Sequence, residues 1–430
     1  MSSSRPAFRT GEPSEPKAAE AAPFSPMQWK FAFSSLTVHF VAACKRPISR
    51  EDFLTLVGNF VRLAPRLRLS VDTDRNGHRD PGCISINADD TISGIEQVCR
   101  YAEVAELGPG LARHLESTPD VYENAGLPGF RARGETCKSP DSHGIHSLLS
   151  MALAHTLFDG AELARTLSGK PAVNPGEDDV TGTQPMSLTR NAALWLAAVP
   201  MALGYLLIAS RETRSAGDFR FAALSIDTHA VKTAAHRHNV GVPALLLALV
   251  LRGLLLGPKG EGNAKAIYMR IPGQRFRGQE DRFLHARTEL LKFSGASDPA
   301  SFVASVAGLL RRRGFGATAM PFLTSRMLAV IRKLQQIALW LIPRPFKGYA
   351  PADIIFSYVP PLEPSGPFSE FSDAVMFGGT CTGTTPSCIV MTGPQATTLT
   401  FWIEKERLDE RLETLTSLFE NEWMAVTRWS

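Results

Sequence analysis

The stretch Ile145-His-Ser-Leu-Leu-Ser-Met-Ala-Leu-Ala-His155-Thr-Leu-Phe-Asp159-Gly160 decides how the rest of the chain is read. Residues 145–154 form a short apolar run suited to a buried strand, and it delivers the chain directly to His155. A helix is expected to follow, through Leu167. On the residues alone, two readings of the junction stay open. In one, Asp159 caps the helix with Glu162 completing a capping box, Gly160 permits a tight turn, and His155 is a satisfied core histidine. In the other, the strand end presents His155 as a base, since a reference pKa of ~6.5 suits proton transfer near neutrality.

Upstream, Leu36, Val38 and Phe40 alternate with Ser35, Thr37 and His39, the period of two of a half-buried strand within Phe31–Val41. Ser49 can cap a helix with Asp52 at its third position, and Phe53, Leu56, Val57, Phe60 and Val61 recur at helical spacing until Pro65 ends it. Arg66-Leu-Arg-Leu-Ser-Val71 alternates again and predicts a strand. Downstream, residues 169–190 carry Gly, Pro, Asp and Thr without periodicity, as a crossover does. Beyond it, strands are expected at Phe219–Ile226, Ala266–Ile271 and Thr397–Ile403. Helices are expected at Val242–Leu256, from the Asp298-Pro299 cap to about Arg312, and from about Leu408 to Trp423.

Both halves mix strands and helices at similar density, so the fold class is α/β, in the form of two α+β sandwiches. The expected organisation is a disordered tail over 1–25, a first subdomain over 26–168, a crossover with an apolar helix over 169–218, and a second subdomain over 219–430. The 430 residues, 44% hydrophobic and 20% charged, can bury a sizeable core. A net charge of +4 implies no global attraction to nucleic acid. Cys44, Cys83, Cys99, Cys137, Cys381 and Cys388 lack CxxC spacing, which argues against a zinc ribbon or redox pair and for a reducing, cytoplasmic setting. GxSxG, P-loop, GxGxxG and HExxH patterns are absent from the sequence. His236, His238 and Asn239 read as a solvated helix face, so no metal is expected.

The histidine-to-Asp-Gly segment, taken with four further stretches, resembles the chloramphenicol-acetyltransferase-like superfamily of acyltransferases and condensation domains. The stretches are RPISREDFLTLVGNFVRLAPRLRLSV (46–71), VPALLLALVLRGL (242–254), IYMRIPGQR (267–275) and DIIFSYVPPLE (353–363). Their order and spacing are similar to the wax ester synthase/diacylglycerol acyltransferase branch. The resemblance implies two subdomains with mixed sheets flanked by helices and a tunnel between them. It makes His155 the general base, and Gly160 the residue that keeps the approach to it open. Asp159 would support the loop through an arginine, with Arg275 the candidate partner and Arg270 the alternative. Ala154 occupies the first position of the family's double-histidine form, and Ser357-Tyr358-Val359-Pro360-Pro361 lacks the Asn and Gly of the wax ester synthase branch.

The implied reaction needs no nucleophile on the enzyme. His155 takes a proton as an alcohol or amine attacks an acyl-CoA thioester, then returns it to the leaving thiolate. An oxyanion donor, worth roughly 2.7–4 kcal/mol, is sought among Ser357 and the hydroxyls of residues 380–385, Thr384 among them. Acyl-CoA is thus a co-substrate, no cofactor is permanently bound, and the enzyme is a monomer. The apolar run 192–209 favours a hydrophobic, lipid-like acceptor, and reads as a buried helix, a re-entrant hairpin or a lid rather than a span. The basic, apolar stretch 321–347 suits an anionic membrane surface, a solvated core helix or CoA phosphates. Two other readings stand beside this one: a carrier-protein thioester as donor, and a catalytically silent protein that binds lipid or a partner.

Overall fold

The computed structural model describes residues 37–71, 84–86, 95–107, 128–141, 144–155, 157–158, 160–170, 219–253, 262–270, 287–296, 298–311, 352–359, 361–378 and 387–404. The expected tail, the runs 192–209 and 321–347, and the helix at 408–423 lie outside these residues.

A first mixed sheet is built from β1 (Thr37–Cys44), β4 (Cys99–Val104), β5 (Phe130–Cys137), β6 (Ser147–Ala154) and β11 (Phe371–Gly378), in the order β11-β1-β6-β5-β4. Its pairs are antiparallel except β4 with β5. A second sheet of six strands takes β7 (Phe219–Asp227), β8 (Asn263–Arg270), β9 (Arg287–Ser294), β10 (Ile354–Tyr358), β12 (Ser387–Thr392) and β13 (Ala396–Glu404), in the order β7-β13-β12-β10-β8-β9. Here β10 runs parallel to both neighbours. A short ribbon of β2 (Leu69–Val71) and β3 (Ile84–Ile86) stands apart from both. Strand β11 comes from the C-terminal half of the chain yet completes the sheet of the N-terminal half, an exchange that no local pattern announces.

The helices form where the apolar spacing places them. Ser49 accepts from the Asp52 amide at 3.1 Å and starts α1 (Arg50–Leu63), whose Phe53, Val57, Phe60 and Val61 are buried. The Phe60 ring lies 5.4 Å from Phe40 of β1, stacked, and 6.0 Å edge-on from Phe368. On the second sheet, α3 (Thr228–Arg237), α4 (Val242–Leu251) and α5 (Pro299–Arg311) cover one face, with Ala244 through Leu251 all buried. Asp298 caps α5 through the Ser301 amide at 2.9 Å. The HRHN segment ends α3: Asn239 adopts a left-handed φ of 52°, and the Val240 amide donates to the Ala235 carbonyl.

Two expectations are corrected. Strand β1 is buried on both faces rather than half-buried, because it is an inner strand between β11 and β6. The strand expected over 66–71 begins only at Leu69; Pro65–Arg68 forms a 3-10 turn that turns both Arg66 and Leu67 into the interior, which strand alternation would forbid.

Gly134 of β5 has no side chain because Phe53 occupies the space. A Cβ there would meet three Phe53 ring atoms at 2.6–2.9 Å, and that ring is itself buried. Gly134→Ala should therefore destabilise the protein by about 1–3 kcal/mol through overpacking. In urea titration this appears as a lower midpoint at unchanged slope; an unchanged midpoint would mean that α1 moves aside freely.

Candidate active site

Strand β6 is the central support of the site. All eight of its residues are buried, and it pairs antiparallel with β1 on one side and β5 on the other. The chain leaves it at Ala154 and turns at once, the Leu157 amide donating to the Ala154 carbonyl at 2.8 Å. His155 sits in this turn, half-buried, with Nδ1 on its inner side. Two residues on, Leu157 and Phe158 are fully buried, and the Phe158 ring lies 5.5 Å from Phe60. The turn is thus held from beneath by apolar packing, with His155 itself half-buried. Gly160 begins the next helix, α2 (Gly160–Leu167).

Glu162, two residues into α2, reaches Arg66 of the 3-10 turn: Arg66 Nη1 donates to Glu162 Oε1 at 3.4 Å, with the side chains only 8% and 5% exposed. Sequence reading gave Glu162 a local capping role; the structure gives it a partner 96 positions away. No local signal announced it, since alternation with Leu67, Leu69 and Val71 would put Arg66 on the solvent face. The far end of α2 closes on Gly169, whose φ of +68° suits glycine, with the Gly169 amide donating to Thr166 and the Lys170 amide to Arg165. Ser365 then fastens this end, its amide donating to the Leu167 carbonyl and its hydroxyl to the Ser168 carbonyl.

The other expected site residues are dispersed or undescribed. Asp159, Arg275 and Thr384 lie outside the described residues, and Arg270, the last residue of β8, is described in its backbone only. Ser357 is in β10, half-buried, opposite Ile389 of β12 and Met269 of β8. Alternate residues of β12 go to different interiors. Cys388 and Val390 join the core under α3–α5, whereas Ile389 and Met391 join the core that contains Ala154, Leu157 and Phe158. Ser357 shares the face of Ile389, and so lies on the side of the second sheet turned toward the histidine's core.

His39 is an unforeseen feature. It lies opposite Ala152 of β6, is only 8% exposed, and its Nδ1 meets no hydrogen-bond partner among the described residues. Burial pushes its pKa down from 6.5 to about 4, so the ring stays neutral. As pH falls from 6.5 toward 4, the unfolded chain takes up a proton that the native protein refuses. This contribution is therefore fully present above pH 6.5, and about 3 kcal/mol is lost by pH 4. The melting temperature should fall over that window, and His39→Leu should flatten the fall; equal slopes in the two proteins would refute it.

No family model matches the sequence, and no curated protein is significantly similar to it. Solved structures share its architecture. The trichothecene 15-O-acetyltransferase from Fusarium sporotrichioides has a TM-score of 0.60 at 10% identity, covering 95% of this chain and 95% of that one. The condensation domain of the monacolin K polyketide synthase reaches 0.55 at 11% identity, over 96% and 99% of the two chains. The wax ester synthase/diacylglycerol acyltransferase from Marinobacter aquaeolei VT8 reaches 0.53 at 12% identity, over 94% and 98%. The two mixed sheets flanked by helices are the chloramphenicol-acetyltransferase-like fold, as the sequence led one to expect. Among the described residues, no single helix is long and apolar enough to cross a membrane.

Proposed function

We propose that the protein is an acyltransferase that moves an acyl group from acyl-CoA to a hydroxyl of a hydrophobic acceptor, with His155 as general base. One observation carries the reading: the half-buried imidazole stands at the end of β6, ahead of α2, in a fold shared with an O-acetyltransferase and a wax ester synthase. In such a position buried neighbours fix the backbone that carries the ring, and Nε2, rather than the buried Nδ1, would take the proton. The base accepts the hydroxyl proton as the oxygen attacks the thioester carbonyl; the collapse of the tetrahedral adduct expels the thiolate, which takes the proton back. Asp159, Gly160 and Arg275 or Arg270 would shape the turn, and Ser357 or Thr384 would donate to the oxyanion.

The proposal extends to a monomer on the cytoplasmic side of a membrane, touching lipid through 192–209 and 321–347, with subdomains over 26–168 and 219–430 and the substrates meeting between them. A carrier-protein thioester is the second donor considered, since condensation domains share the fold. The test supplies palmitoyl-CoA with a panel of alcohols and follows thiol and ester together. Ester formed in equal amount to thiol is the expected result. No thiol release with any alcohol would favour a protein that only binds lipid or a partner.

A further inference from the structure

The two ends of α2 are held by distant parts of the chain: Glu162 meets Arg66 near the first turn, and Ser365 takes the last. At that far end the carbonyls can be followed one by one. Those of Ala164, Arg165 and Thr166 accept from the amides of Ser168, Lys170 and Gly169. The next two, of Leu167 and Ser168, accept from the Ser365 amide at 2.9 Å and the Ser365 hydroxyl at 2.7 Å. The approach is so close that a Cβ on Gly169 would stand 3.3 Å from the Ser365 hydroxyl. Ser365 itself is exposed, so this contact lies outside the packed core.

Ser365 belongs to the strap that leaves β10, the strand of Ser357, and leads into β11. Along this strap the Val359 and Leu362 amides donate to the Val390 and Thr392 carbonyls of β12, at 2.9 and 2.8 Å. Beyond Ser365 comes Phe368, buried and edge-on to Phe60 of α1 at 6.0 Å. From Leu362 to Ser365 the chain advances three residues, a reach of at most about 11 Å. Pro364 lies within that step, fixing its own φ and confining Glu363 to extended backbone. A short, stiff link therefore joins the end of α2 to the second sheet.

We propose that Ser365 is a positioning residue: through α2 it sets where the turn of His155 stands relative to the second sheet. This inference rests on the acyltransferase reading above, in which the base comes from the first sheet and Ser357 from the second. Helix α2 has eight residues and is about 12 Å long. Leu163, Ala164 and Leu167 are buried along it, so it shifts as one piece and carries the turn before it. A misplacement of about 1 Å, even from a change far from the chemistry, costs as much as about 10²-fold in rate. An exposed hydroxyl that fixes this helix thus bears on turnover more than on stability.

The test sets Ser365→Ala and Ser365→Thr beside Gly169→Ala, which crowds the same junction from the helix side and strains a φ of +68°. Palmitoyl-CoA with one fixed alcohol gives kcat and KM at a temperature where unfolding scans show each full-length variant folded. The imidazole signal of His155 in the NMR spectrum, assigned by its loss in His155→Ala, follows the ring without turnover. Ser365→Ala and Gly169→Ala should each lower kcat about fivefold or more, the factor equivalent to one hydrogen bond. The donor KM should stay within about twofold. The His155 signal should move while those of His229 and His236 on α3 stay, and Ser365→Thr should restore both kcat and signal. An unchanged kcat and an unmoved signal in both Ser365→Ala and Gly169→Ala overturn the positioning role and leave the acyltransferase reading standing. So does either change without the other, because the place of the ring then does not govern transfer. A wild type without turnover overturns the acyltransferase reading, and the His155 signal then decides alone whether Ser365 holds the turn.

Discussion

His155→Ala should lower kcat for ester formation by about 10²–10⁴-fold, the usual contribution of a positioned general base. At ~1.36 kcal/mol per tenfold this is about 3–5 kcal/mol of transition-state stabilisation. The donor KM should change little, because the base acts on the acceptor hydroxyl and only as the bond forms. Stability should also change little. The imidazole is half-buried in a turn, and the surrounding packing comes from Ala154, Leu157 and Phe158, which the substitution leaves in place. Unfolding midpoints measured beside the kinetics separate loss of the base from loss of the fold. A fall in kcat that only parallels a fall in folded protein would contradict the assignment.

Arg66→Ala and Glu162→Ala should each cost about 3–5 kcal/mol, since either leaves the other charge buried without its main partner. The pair ties the first turn of α2 to the 3-10 turn after α1, so its loss should also loosen the segment that carries His155. Replacing both residues at once by apolar groups of similar volume, Arg66→Met with Glu162→Leu, should restore most of the stability, because neither charge of the pair is then left buried without the other. Urea unfolding of the two single variants and the double variant measures this directly. Single-variant losses below about 1 kcal/mol, the range of exposed ion pairs, would show that the pair is not the buried tie described.

Much of the fold was legible because its elements follow strong local rules. The Ser49 and Asp298 caps, the apolar stripe of α1, the run into β6 and the strand expected at Thr397–Ile403 all stand where the sequence reading places them. Strand β5 was not anticipated: it carries Arg131, Arg133 and Glu135, yet Arg131 and Glu135 are buried, with Arg131 donating to the Pro128 and Phe130 carbonyls and Glu135 paired with Arg133. Strand β11 was invisible as a partner of β1, because pairing between distant segments leaves no mark in either one. The site divides in the same way. His155 and Gly160 are fixed by a strand and a helix that adjoin them in sequence, whereas Arg66 with Glu162 exists only through a long-range contact. The signals that mislead are charged residues in buried strands, where a partner elsewhere in the chain decides the outcome.

The central claim is that one imidazole carries the proton during direct acyl transfer, and ester formation by His155→Ala with and without added imidazole tests it most directly. The account predicts almost no ester from the variant alone, and a partial, saturable recovery as free imidazole fills the vacated space. Ester formation at the wild-type rate by the variant, with no imidazole present, would contradict it.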